Sequence, residues 1–164
     1  MRLLLIRHAT AVPSGTPGIA DDDRPLTPRG RAKFRRAARG LARLLDRPDV
    51  LLTSPLPRAR ATAELVARAF RRLEPRAEPA LAHGGADAIL VLLQRQPADT
   101  TVAVVGHEPV LSLLLARLLG SGRGERFAFK KGGAALVDLP DGPRSGGRLV
   151  WFLKPRILRI IADV

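Results

Sequence analysis

Residues 100–109 read TTVAVVGHEP, and the reading of this stretch decides the fold. Thr101 to Val105 is β-branched and apolar, the composition of a strand buried on both faces, as parallel strands are. Gly106-His107 end the run, and the apolar residues from Pro109 to Leu119 then continue as a helix. A strand that stops at a glycine and a polar side chain and passes into a helix is a unit of an open α/β sheet. In such sheets ligands bind at the carboxyl ends of the strands.

The same order recurs on either side. Leu3 to Ile6 is a short apolar strand that ends in Arg7-His8, and Val50 to Thr53 is another, followed by Ser54 and then Arg58 in the first turn of a helix. Between the first two strands, Pro, Gly and Asp mark 11–24 as a loop. Thr27 stands as an N-cap before Pro28, the position where proline suits a helix best. Phe34, Ala37, Ala38, Leu41, Leu44 and Leu45 then repeat at three- and four-residue spacing, as an amphipathic helix requires. Further helices are expected over 57–73, over 86–95 and after Pro155, and a short strand over 77–81. Near the end, FAFKKGGAALVDL and RLVWFL flank a turn-rich segment, which predicts an antiparallel pair. The expected fold class is therefore α/β: one domain over 1–164, a mostly parallel sheet flanked by helices on both faces, with an antiparallel strand pair near the C-terminus.

Composition narrows the chemistry. Cysteine is absent, so disulfides, thiolate metal sites and a cysteine nucleophile are excluded together. The three histidines, His8, His83 and His107, fall in no metal-ligand spacing, and no metal or other cofactor is expected. Asp21-Asp22-Asp23 look metal-like, but consecutive carboxylates point in different directions; a solvated loop paired with Arg24 or Arg29 is expected instead. The most lipid-like run, 110–119, is interrupted by Arg117 and is too short to span a bilayer. No secretory signal is visible, and the expected location is cytoplasmic.

The formal charge is +13, and 24 of the 28 basic residues are arginine. Such a field draws in phosphorylated or otherwise anionic partners. Nucleic acid is disfavoured, because stacking platforms for bases are scarce: there is no tyrosine and one tryptophan.

Parallel strands bring Arg7, His8, Arg58 and His107 to one sheet edge. Two arginines there offer forked donors for phosphate oxygens. Their charges disfavour a protonated imidazole, which leaves one histidine neutral and nucleophilic near neutral pH. The other can donate a hydrogen bond to a phosphoryl oxygen. Phosphoryl transfer through a covalent phosphohistidine is the reaction this set of groups suits.

RHATA near the N-terminus, TSPLPRARATAE in the middle and VVGHEP late in the chain resemble the histidine phosphatase superfamily. DDDRPLTPRGRA and FKKGGAALVDL are similar to the small SixA-type phosphohistidine phosphatases. The resemblance implies that His8 is the nucleophile, that Arg7 and Arg58 bind the phosphoryl oxygens, and that His107 is the second histidine of the phosphate pocket. Many relatives carry Gly where Ala9 stands, a difference of one methyl group that activity should survive.

Larger members carry an acidic residue after the third strand. Here LAHGGADA offers only His83 and Asp87, with Glu108 as a third candidate for the general acid. A phosphohistidine substrate tolerates a weak acid, because imidazole leaves far more readily than an alkoxide: the conjugate acids have pKa values of about 6.5 and, by analogy with water, roughly 16. Three alternatives stay open: a phosphatase for a small ester such as a sugar phosphate or nucleotide derivative, a basic nucleic-acid-binding module, and a non-catalytic phosphate sensor. The partner is accordingly a phosphorylated protein or a small phosphorylated substrate.

Overall fold

The structure is a computed structural model and describes residues 1–71 and 73–164. Six strands form one sheet: β1 (Arg2–Arg7), β2 (Val50–Thr53), β3 (Pro75–Ala77), β4 (Thr101–Gly106), β5 (Ala134–Asp138) and β6 (Arg148–Leu153). Their order is β3-β2-β4-β1-β5-β6. The first four are parallel, and β5 runs antiparallel to both β1 and β6, so the mostly parallel sheet with its antiparallel pair is as the sequence predicts.

The two faces follow from the two-residue period of a strand. Leu4 and Ile6 of β1, with Ala103 and Val105 of β4, pack against Phe34, Ala38, Leu41, Ala63, Val66 and Leu158. Those partners come from α1 (Pro28–Leu44), α2 (Pro57–Ala69) and α6 (Pro155–Ile161). Leu3, Leu5, Val102 and Val104 face the other way, onto Ile89, Leu93, Leu111 and Leu114 of α4 (Ala86–Gln94) and α5 (Val110–Leu118). The central strands are thus covered on both sides, which is why they read as unbroken apolar runs. Thr27 caps α1 as expected, its hydroxyl accepting from the Gly30 N–H at 2.9 Å.

Two expectations need correction. The strand predicted over 77–81 lies earlier, at Pro75–Ala77, and Ala80–His83 form a one-turn helix, α3, entered through Pro79. The strand is at the sheet edge, where a proline breaks no ladder bond, and Pro79 then supplies a helical φ rather than a strand donor. The helix predicted over 57–73 ends at Ala69; Phe70 caps it and Arg71 turns into the left-handed region with φ 58°. Position 72 of that predicted helix lies outside the described residues. Among the described residues, no helix is long and apolar enough to cross a membrane.

Candidate active site

The register of the sheet assembles the site. Arg7 pairs with Gly106 across β1 and β4, and Thr53 of β2 pairs with Val105, so the three strands end level. The chain continues that alignment past the strands: the His8 N–H donates to the Gly106 carbonyl and the Ser54 N–H to the Val105 carbonyl, both at 3.0 Å. His8 and His107 are thereby brought together, with ring centroids 5.1 Å apart and the rings tilted by 52°. Arg58 reaches the same place from the first turn of α2.

His8 is 5% exposed. Its Nδ1 lies 2.7 Å from the Ala9 carbonyl oxygen, which can only accept, so Nδ1 carries the proton and Nε2 holds the lone pair. Burial pushes its pKa down to about 3; the Ala9 bond opposes that, while the charges of His107, Arg58 and Arg7 add to it. The ring is therefore neutral at pH 7, with a free nucleophilic nitrogen. The Ala9 backbone is fixed in turn. Its N–H donates to Thr62 Oγ1 at 3.0 Å, and that hydroxyl donates to the Arg58 carbonyl at 2.7 Å. Ala9 has no left-handed φ, so its methyl group is accommodated without backbone strain.

His107 is oriented through Ser54, which is fully buried. The Leu56 N–H donates to Ser54 Oγ at 3.2 Å, and Ser54 Oγ lies 2.7 Å from His107 Nε2. With the serine hydroxyl donating to Nε2, Nδ1 of the neutral ring is the N–H donor. Burial first, then the charges of Arg58 and Arg7, lower the His107 pKa to about 4.

Each arginine is clamped by backbone carbonyls. Arg7 Nη1 donates to the Phe129 carbonyl at 2.6 Å, and Arg58 Nη1 donates to the Asp21 carbonyl at 2.9 Å. The Asp21–Asp23 segment is a single 3-10 turn held by the Asp21 carboxylate, which accepts from Ser14 Oγ at 2.6 Å and from Arg24 Nε at 2.9 Å. These are the pairings expected of a solvated acidic loop, with the added task of seating Arg58. No cluster of potential metal ligands occurs among the described residues.

Among the described residues, the buried side-chain nitrogens and oxygens without a protein partner are Arg7 Nε, Arg58 Nε and His107 Nδ1. Buried polar groups are normally satisfied, and all three of these belong to one site. Three N–H donors and two cations converge beside the lone pair of His8. An anion with several acceptor oxygens suits that arrangement, and a tetrahedral phosphoryl group does so in particular.

A family model described as the histidine phosphatase superfamily (branch 1) matches residues 3–83. An uncharacterized protein of Picosynechococcus is 35% identical over 136 residues, which span 81% of this chain and 82% of that one. The chain belongs to the histidine phosphatase superfamily. Among solved structures it is similar to a candidate phosphohistidine phosphatase SixA from Nakamurella multipartitia, with a TM-score of 0.78 and 29% identity over 94% of this chain and 95% of that one. The corresponding SixA candidate from Agrobacterium tumefaciens gives 0.77 and 29%, over 94% of this chain and 97% of that one.

The three candidates for a general acid fare differently from the four central residues. Asp87 is exposed and paired with Arg117 in the last turn of α5, whereas His107 precedes the first turn, so the length of that helix separates them. His83 is exposed at the end of α3, with no side-chain hydrogen bond to the four among the described residues. Glu108 is next to the site, but both of its oxygens are engaged: Oε1 accepts from the Phe129 N–H at 3.0 Å, and Oε2 accepts from the Ser112 hydroxyl. Glu108 thus fixes residue 129, whose carbonyl holds Arg7.

Sequence reasoning did not find Thr62, the Phe129 carbonyl or the Asp21 carbonyl. Thr62 had a signal, since it follows Arg58 by one helical turn; the carbonyls had none.

Proposed function

We propose that the protein is a cofactor-independent phosphatase that removes phosphate from phosphohistidine in a cytoplasmic signalling or phosphotransfer protein. In the first step the Nε2 lone pair of His8 attacks phosphorus, and the bond from phosphorus to the substrate imidazole breaks. The bond's electrons stay with the substrate ring, which carries a proton on its other nitrogen and so leaves as neutral imidazole, with no proton needed at the moment of cleavage. In the second step a water attacks the phosphorus on His8. The phosphorus–Nε2 bond returns its electrons to the ring, and inorganic phosphate leaves. Arg7 and Arg58 hold the equatorial oxygens throughout, and His107 Nδ1–H donates to the charge that develops on them. The two guanidinium groups supply the neutralising charge.

The observation that carries the choice of substrate is the engagement of Glu108. Its carboxyl group is committed to Phe129 and Ser112 rather than offered to a leaving group. Chemistry with imidazole as the leaving group asks least of an acid.

Phosphate release from a histidine-phosphorylated phosphotransfer domain tests the proposal, with His8→Ala beside wild type and a panel of small phosphate esters at matched concentrations. Fast release that disappears in the variant, with slow ester hydrolysis, is the expected result. Strong His8-dependent hydrolysis of one ester, with none of the phosphoprotein, would keep the mechanism and replace the substrate. Phosphate binding without any turnover would make the protein a sensor.

A further inference from the structure

Beside the catalytic pocket runs a second cleft of about 240 Å³, bounded by Ala9 and Gly132, with Lys33, Lys131 and Arg159 around it. It adjoins the chemistry directly. Ala9 follows His8 in the chain, and the Gly132 N–H donates to the carbonyls of both Arg7 and His8. Its walls are built from three separate parts of the fold: α1 gives Lys33, the turn before β5 gives Lys131, and α6 gives Arg159.

The charge of this cleft is one-sided. Three cations line it and no carboxylate does. None of the three has an ion-pair partner among the described residues. Other clefts with more than one cation mix the signs: Arg2 and Arg148 share theirs with Asp99 and Asp138, and Arg117 and Arg144 share theirs with Asp87. A basic composition alone therefore does not leave every cleft free of carboxylates.

The donors also differ in kind from those of the catalytic pocket. There, one buried and one half-buried arginine are clamped by carbonyls to meet one tetrahedral group. Here two exposed lysines on flexible stems and a half-buried arginine surround an apolar floor of Phe34 and Pro155. Mobile point charges suit several carboxylates spread along a chain better than one locked phosphate.

We propose that this cleft docks an acidic segment of the phosphoprotein substrate next to its phosphohistidine, a reading that rests on the proposed function and deepens it. Lys33, Lys131 and Arg159 select the partner, and His8 performs the chemistry one residue away from the cleft wall.

The test compares wild type, the cleft variant Lys33→Glu/Lys131→Glu/Arg159→Glu, and a control with the same charge change on distant exposed positions, Arg68→Glu/Arg95→Glu/Arg144→Glu. Three quantities are read at fixed salt: affinity for a hexaglutamate peptide, KM for a histidine-phosphorylated phosphotransfer domain with an acidic surface, and kcat/KM for free phosphohistidine. The cleft variant should lose about tenfold or more in the first two, the loss of roughly 1.4 kcal/mol or more of charge complementarity, and keep the third. The control should keep all three to within about threefold, its residual effect being that of the long-range field.

Equal losses in both variants, or no peptide binding by wild type, would overturn the docking site. Absence of phosphate release from the phosphotransfer domain by wild type would overturn the functional reading instead, and the peptide arm would still decide the cleft. If the triple variant loses its small-substrate rate through misfolding, Lys33→Gln/Lys131→Gln decides on peptide binding alone, with unchanged affinity counting against the proposal.

Discussion

At the scale of single residues, the site depends on two imidazoles that stay uncharged in a strongly cationic setting. His8 and His107 have pKa values lowered to about 3 and about 4, in each case chiefly by burial. Their ring resonances in NMR should therefore keep neutral-imidazole positions down to about pH 5, well below the ordinary value of about 6.5. His8 should appear as the Nδ1–H tautomer, because the Ala9 carbonyl accepts from that nitrogen. Protonation of His8 near pH 6 in the free protein would contradict the burial argument. The four residues that the sequence singles out share one kind of position: each stands at or just past the end of a strand, or in the helix turn next to one. What seats them was not legible. The Phe129 and Asp21 carbonyls that hold the arginines belong to the backbone and leave no trace in residue type. Glu108 was visible as a carboxylate, but its engagement with Phe129 and Ser112 arises only when a turn distant in sequence folds against it.

At the scale of elements, α6 closes the fold by lying across α1. Gly40 is where they meet most closely, since a Cβ there would overlap the carbonyl of Leu158. Gly40→Ala should therefore destabilise the protein by about 1–3 kcal/mol through overpacking, despite alanine's better helix propensity. A denaturant midpoint that drops at unchanged slope would show this; a rise would mean that the helices separate without cost. Periodicity placed α1 and Pro155 marked the start of α6, but neither carried information on their crossing point. Proline explains the misplaced edge strand in the same terms. Pro75 and Pro79 bracket a segment whose type depends on whether it pairs at all, and the edge of the sheet lets it pair for three residues only.

At the scale of the whole molecule, the buried His8 and the half-buried His107 tie folding to pH. Both have folded pKa values below 6.5, so between that value and about pH 4 the unfolded chain binds more protons than the folded one. Stability should be undiminished by these groups above pH 6.5 and fall as the pH drops through the window, on the order of 1.4 kcal/mol per pH unit for each histidine. Chemical denaturation at a series of pH values, for wild type and His8→Ala, reads the contribution of His8 as the difference between two slopes. Equal slopes would mean that His8 titrates alike in both states.

The direction of β5 has a consequence for engineering. Because it runs against its neighbours, Asp138 lies beside Arg2 and Ala134 beside Ile6. The connection over 139–147 is therefore carried to the rim opposite the histidines. That rim is a natural splice point. A reporter domain inserted between Asp141 and Gly142, or new termini opened there, should leave phosphatase turnover within about twofold, as tolerated insertions at exposed loop tips do. The same insertion between Lys130 and Lys131, on the rim that carries the chemistry, should abolish turnover. The two fusions side by side, assayed for rate and for cooperative melting, would show one polypeptide with a permissive side and a forbidden one.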